Sequence, residues 1–289
     1  MSDYDLELTE EIKKTVLKLG ADLVGIANAG KASGSAQGHA NPNDIVSDAH
    51  AIVVFALKYP DSAVDSKLED DLIQANYVKV QQTMNDELLR IALKVTSSLE
   101  KLGYDATLIA PDIPREETRN IWTGILSLRY VAQLAGLGDI GLSNLLLTPQ
   151  WGPRVQLGAV LTDAPLQPDG PIYAEKVCAK CQKCIEICPT RALVADNYPP
   201  YNYNLNRCLW STQGWSRLTK VEEPPLDWIE AKPNANILIG KYEEKYPQIR
   251  VFESWRDRLG DFPQCNKCLA VCPVGKKGYQ KRVSGEEEE

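Results

Sequence analysis

The stretch CAKCQKCIEICP, residues 178–189, sets four cysteines at spacings of three, three and four and follows the last with a proline. In a C-x2-C-x2-C-x3-C-P run, three thiolates grip one [4Fe–4S] cluster and the fourth reaches over to a second cluster. The run therefore predicts a partner elsewhere in the chain. Residues 265–273, CNKCLAVCP, supply it as C-x2-C-x3-C-P, one cysteine short, and Cys208 is the one cysteine left of eight.

Two cubane clusters use all of them. Cys178, Cys181, Cys184 and Cys272 are assigned to one cluster, and Cys208, Cys265, Cys268 and Cys188 to the other. Zinc is the alternative, because thiolate pairs at C-x2-C also suit a tetrahedral site. Zinc needs neither the third cysteine at x2, nor the trailing Cys-Pro, nor a reciprocal fourth ligand. Disulfides fit less well, since no signal peptide opens the sequence and thiols of the cytosol stay reduced.

The 289 residues are 44% hydrophobic, enough for a substantial core in one large domain or two. No apolar run reaches the length of a membrane span, so no membrane partner is expected and a cytoplasmic location is. A net charge of −7 tells against a broad grip on nucleic acid, which rests on Lys and Arg neutralising phosphates. Nucleic acid is accordingly not expected as a partner. The tail GEEEE, 285–289, reads as a solvated end.

Apolar residues at Leu8, Ile12, Val16 and Leu19 predict a helix over 7–19 that stops at Gly20. ADLVGIA reads as a strand, 30–44 as a loop, and AIVVFALKY at 51–59 as a buried central strand. One long helix is expected over 68–102, with Leu88, Ile91, Leu93, Val95 and Leu99 on its buried side. A strand at DATLIAP, a helical pattern at 121–135 and a strand in VQLGAVLTDAPL, 155–166, complete an α/β layout. The domain boundaries follow as 1–170 and 171–289, with an insertion at about 209–264 between Cys208 and Cys265 that wraps the cluster region.

GLGDIG at 136–141 matches G-x-G-x-x-G, with Asp163 downstream. That motif needs a strand before it and a helix after it, whereas here a helix precedes it and a proline soon follows. A tight turn is the simpler reading. His39 and His50 are the two histidines, which leaves little scope for histidine-based hydrolysis. The six tryptophans fall mostly in the cysteine half, where apolar bulk would limit solvent access to clusters.

The block AGLGDIGLSNLLLTPQWGPRVQLGAVLTDAPL, 135–166, followed by CAKCQKCIEICPTRAL, resembles the cobalamin-dependent iron–sulfur reductases, comprising epoxyqueuosine reductase and the reductive dehalogenases. GADLVGIA and SDAHAIVVFALKYP are similar too. The resemblance implies an α/β (α+β) nitroreductase-like domain that holds a corrinoid largely through backbone contacts, followed by a ferredoxin-like domain with two [4Fe–4S] clusters. Electrons would pass from an external donor of ferredoxin or flavodoxin type through the two clusters to the bound cobalamin, for reductive chemistry on a small-molecule substrate.

By the same resemblance Tyr77, in QANYVKVQ, is similar in position to the proton-donating tyrosine of epoxyqueuosine reductase. Arg129, in LSLRYVAQLAGLG, stands where some dehalogenases carry a lysine near substrate. Arg154, in WGPRVQLG, is a candidate for meeting a corrinoid side chain or the substrate, against a plain surface cation. The carboxylate of epoxyqueuosine reductase upstream of Gly-Leu-Gly falls at Trp122 or a neighbour here, a departure that tells against the queuosine reaction. Two rival functions share the cysteines: a cluster-only electron-transfer protein without corrinoid, and a protein that reduces or reactivates another enzyme's corrinoid.

Overall fold

The computed structural model describes residues 4–32, 40–65, 71–110, 125–170, 177–195, 203–232, 235–251 and 265–276. Helix α1, Leu6–Lys18, starts where the Asp5 carboxylate accepts from the Leu8 amide at 2.9 Å, and it buries Leu8, Ile12 and Val16. Strand β1, Leu23–Asn28, the single turn α2, Ala29–Ala32, and β2, Ala51–Lys58, follow. A short α3, Asp61–Val64, precedes the long α4, Asp71–Lys101, and then β3, Ala106–Ile109. Next come α5, Leu128–Leu134, the two-residue strands β4, Asp139–Ile140, and β5, Leu146–Leu147, and finally β6, Val155–Thr162.

Four strands form one sheet in the order β1-β2-β6-β3, every pair antiparallel. The central β2 is buried on both faces because its side chains alternate between two cores. Ile52, Val54 and Ala56 pack with Val131, Leu134 and Leu137 on the α5 side. Val53 and Phe55 pack with Ile12, Val16, Leu88, Ile91, Val95 and Leu99 from α1 and α4. The α/β expectation is met as three layers on an antiparallel sheet.

Three expected details differ, the first being that the loop read over 30–44 carries the end of α2 at Ala32 and a 3-10 turn at Pro42–Asp44. Leu93 is 57% exposed, not buried. It stands two residues from both Ile91 and Val95, and at 3.6 residues per turn that offset lies on the opposite side of the helix from the buried stripe. Helix α5 begins only at Leu128, since Ile125 to Ser127 are non-helical, and 121–124 lie outside the described residues.

GLGDIG makes the turn between α5 and β4, with Gly136 at φ +74°. At Gly138 a Cβ would come within 2.1 Å of the Leu147 carbonyl oxygen, so the β4–β5 ribbon closes only over glycine.

In the cysteine half, α6 spans Lys183–Glu186, and four short helices follow: α7, Leu205–Thr212, α8, Trp215–Thr219, α9, Leu226–Glu230, and α10, Ile239–Lys245. They enclose a core of their own. Trp210 meets Trp215, Trp228 and Tyr242 edge-on at 5.2 to 5.4 Å, and all four side chains are buried. Trp210, Trp215 and Trp228 thus pack on one another, and Trp255 lies outside the described residues. Helix α11, Lys267–Val271, carries the second cysteine run, and its Leu269 packs against Tyr59, Tyr77 and Met84. Among the described residues no helix is long and apolar enough to cross a membrane.

Candidate metal centre

Left-handed backbone at Lys180 (φ +51°) and Gln182 (φ +61°) bends the first cysteine loop ahead of α6. Cys178, Cys181 and Cys184 consequently line one cavity, which Cys272 of the second run joins, with Leu142, Leu147 and Val274 as apolar wall. Helices α7 and α11 bring Cys208, Cys265 and Cys268 towards Cys188.

The thiols report their own neighbours. Burial pushes Cys184 up to about 11, with Cys178, Cys272 and Cys181 adding to it. Cys272 also goes up to about 11, through burial, against the Val274 amide. Cys208 is pushed up to about 11 by burial; the Thr212 hydroxyl, 3.6 Å from its sulfur, opposes this, and Cys265 and Cys188 add to it. Cys268 is raised by burial and then by Cys265, Cys208, Cys188 and Cys184. After burial, the thiols that act on Cys184, Cys272 and Cys208 belong to the same assigned quartet as each, and Cys184, acting on Cys268, is where the quartets meet. Thiols placed this high keep their protons at neutral pH, so filling either site with metal releases protons. Among the described residues no three His, Cys, Asp or Glu side chains are drawn to a single ion-sized point. The first quartet stands around a cavity instead.

Polar groups approach the sulfurs of the second quartet. The Ala192 amide donates to Cys188 Sγ at 3.2 Å. Arg207 donates to the Thr190 carbonyl at 3.0 Å and grips Glu223 with both Nη atoms, at 2.5 and 2.9 Å, which holds its cation beside Cys188. None of these neighbours is visible in the cysteine spacing.

The three other predicted residues separate. Tyr77 is 5% exposed and stacks on Tyr59 at 5.6 Å. Burial pushes its hydroxyl up to about 12; a hydrogen bond with Tyr59 opposes this, and the thiols of Cys268 and Cys265 add to it. Tyr59 in turn donates to Gln156 Oε1 at 2.7 Å, and Gln156 Nε2 donates to Asn85 Oδ1 at 2.7 Å. Sequence reasoning missed this chain; its one signal was a tyrosine closing a buried strand just before Pro60. Arg129 donates to the Asn144 carbonyl, and its charge acts on Cys208. The Tyr77 hydroxyl and the Arg129 charge thus each interact electrostatically with thiols of the second quartet.

Arg154 lies on the other side. Its side chain is fully buried and donates to both carboxylate oxygens of Asp65, at 2.6 and 2.9 Å, and to Asp61 at 3.3 Å. It is no surface cation. It belongs to the Trp151–Arg154 turn, which sits directly on the turn after Cys272: a Cβ at Gly275 (φ +79°) would meet the Trp151 backbone at 1.9 Å. His50 is exposed at the start of β2, and His39 and Trp122 lie outside the described residues.

No family model matches the chain. The epoxyqueuosine reductase of Bacillus anthracis is 31% identical over 237 residues, covering 82% of this chain and 51% of that protein, so the chain spans about half the length of that curated relative. A crystal structure of epoxyqueuosine reductase with a modified tRNA stem loop aligns over 93% of this chain and 66% of its own, with a TM-score of 0.55 and 21% identity. A reductive dehalogenase, whose structure suggests a mechanism for B12-dependent dehalogenation, aligns over 90% of this chain and 38% of its own, with a TM-score of 0.59 and 21% identity. At that identity the two structures speak for the fold.

Proposed function

Because the chain belongs to the family of the epoxyqueuosine reductases and reductive dehalogenases, we propose that it is an oxidoreductase passing electrons through two [4Fe–4S] clusters to a bound cobalamin. Residues 1–170 would form the nitroreductase-like corrinoid and substrate domain, and 171–289 the ferredoxin-like one. The observation that supports this reading is the cavity lined by Cys178, Cys181, Cys184 and Cys272, with Cys188 and Cys265 acting on both Cys208 and Cys268 nearby.

The donor set fits the proposed clusters: four thiols on each site and apolar walls on the first. Of the two histidines, His50 is exposed at the start of β2 and does not line the cavity of the first quartet. A corrinoid supplies a low-potential metal centre for two-electron reduction of the substrate.

The chain's own residues do the rest. The thiolates hold iron. Tyr77, kept protonated by burial, holds a proton at its Oη for delivery, and Tyr59, oriented by Gln156 and Asn85, fixes the ring. Arg129 is the cation assigned to the substrate side, with a planar guanidinium in place of a point ammonium. Arg154, engaged by Asp65 and Asp61, serves by holding the turn over Cys272.

The substrate is read as a small molecule. A second reading, a nucleoside carried on RNA, is favoured by the relative solved with a tRNA stem loop, which cuts across the expectation drawn from net charge alone. Spectroscopy tests the proposal. Dithionite-reduced, iron-loaded protein is expected to give the EPR of two interacting four-iron clusters, and cobalamin to bind saturably by absorbance. Clusters without cobalamin binding would leave a cluster-only electron carrier, and no iron–sulfur signal would overturn the proposal outright.

A further inference from the structure

The charge of the cysteine runs runs against that of the chain. Across the described residues 177–195 and 265–276 stand Lys180, Lys183, Arg191, Lys267 and Lys276 against the single acid Glu186, in a protein of net charge −7. Among the described residues Lys276 alone of these five has a salt-bridge partner, Asp65 at 3.9 Å, while Arg191 acts on Glu223 and Lys180 and Lys183 make no ion pair.

Their placement is specific. Cys181 is the exposed thiol of the eight, while the other seven are partly buried. Lys180 and Lys183 flank it and are themselves exposed, because the left-handed backbone at Lys180 and Gln182 turns this loop outward around the cavity. Ile187, 41% exposed and adjacent to Cys188, adds an apolar side chain to the same surface. An apolar side chain and a redox edge flanked by two lysines, with Glu186 as the one exposed acid beside them, have the anatomy of a small, transient interface.

Resting on the cluster reading above, we propose that the surface around Cys181, Lys180, Lys183 and Ile187 is the docking site for an acidic one-electron carrier protein. One electron leaves the reduced iron–sulfur or flavin centre of the carrier and enters the cluster held by Cys178, Cys181, Cys184 and Cys272. No proton or bond is exchanged. The lysines attract the carrier and the exposed thiol edge shortens the electron's path. An RNA backbone would also be drawn to lysines, but it has no use for an exposed thiol edge or for Ile187.

The test is stopped-flow reduction of the iron-loaded protein by a reduced acidic [2Fe–2S] ferredoxin, read as cluster absorbance at several salt concentrations. The methyl viologen radical, a small cation, serves as control reductant. Lys180→Glu/Lys183→Glu is expected to slow reduction by ferredoxin at least about tenfold at low salt, with the difference shrinking towards none at about 0.5 M salt. Reduction by the viologen should be unchanged or faster, and iron content the same. Equal rates with ferredoxin in the variant and the parent, clusters intact, would overturn the docking site alone. So would a tRNA stem loop that binds the parent, fails to bind the variant, and displaces ferredoxin. Absence of iron would overturn the cluster reading and the docking site with it.

Discussion

Replacing Asp65 by Ala should destabilise the protein more than replacing Arg154 by Met. Arg154 is fully buried and makes two of its three carboxylate contacts to Asp65, at 2.6 and 2.9 Å. Removing one partner of a buried ion pair costs about 3–5 kcal/mol, because the other charge stays behind without compensation. Here Asp65 is 42% exposed, and Asp61 remains at 3.3 Å, so water and the second carboxylate recover part of that. About 2–3 kcal/mol is the expected loss.

Arg154→Met removes the buried cation and its unpartnered Nε, and leaves two carboxylates that are solvated, one of them also bonded to Lys58 at 2.9 Å. Swapping a buried ion for an apolar chain of similar size is often close to neutral, so about 1 kcal/mol or less is expected. The double variant should match Arg154→Met. Urea unfolding of the anaerobically loaded protein, followed by far-UV circular dichroism, measures all three. Arg154→Met losing more than Asp65→Ala would refute the reasoning and give the guanidinium a role beyond pairing.

Cys208→Ser should lose about four of about eight irons, and iron analysis that finds all of them retained would remove Cys208 from the ligand set. Gly158→Ala puts a Cβ 2.7 Å from the Phe55 ring and 3.2 Å from Leu88 Cβ, an overpacking expected to cost about 1–3 kcal/mol in urea unfolding and to be relieved by Phe55→Leu. Asp227 is held below the usual carboxylate range by hydrogen bonds from Lys241 and Tyr242. Its stabilisation is present above the ordinary carboxylate pKa and lost as pH falls, so Asp227→Asn should flatten the acid limb of a tryptophan-fluorescence stability profile.

What the sequence makes legible is what repeats locally. The cysteine spacing, the stripe Leu8, Ile12, Val16 and the apolar run of β2 each carry their structure within a dozen residues. Leu93 misled because apolar character alone does not fix a helix face when the residue stands two positions off the stripe. The turn reading of GLGDIG could be made because the order of flanking elements was itself readable.

Long-range pairing left no such trace. Arg154 reads as a surface cation until Asp65, 89 residues earlier, is folded against it, and Tyr59 reads as a strand end until Gln156, 97 residues on, receives its hydroxyl. The aromatic core of α7 to α10 was hidden for the same reason: Trp210, Trp215, Trp228 and Tyr242 follow no helical or strand period, and only packing brings their rings together. The neighbours of the thiols are likewise set by local backbone: Thr212 closes α7, and Ala192 follows the left-handed Arg191.

One measurement bears most directly on the central claim: iron, sulfide and cobalt quantified on a single sample purified without oxygen and with cobalamin supplied. Two cubane clusters serving a corrinoid predict about eight irons, about eight sulfides and about one cobalt per chain. Zinc in place of iron, bound with no sulfide, would contradict the account.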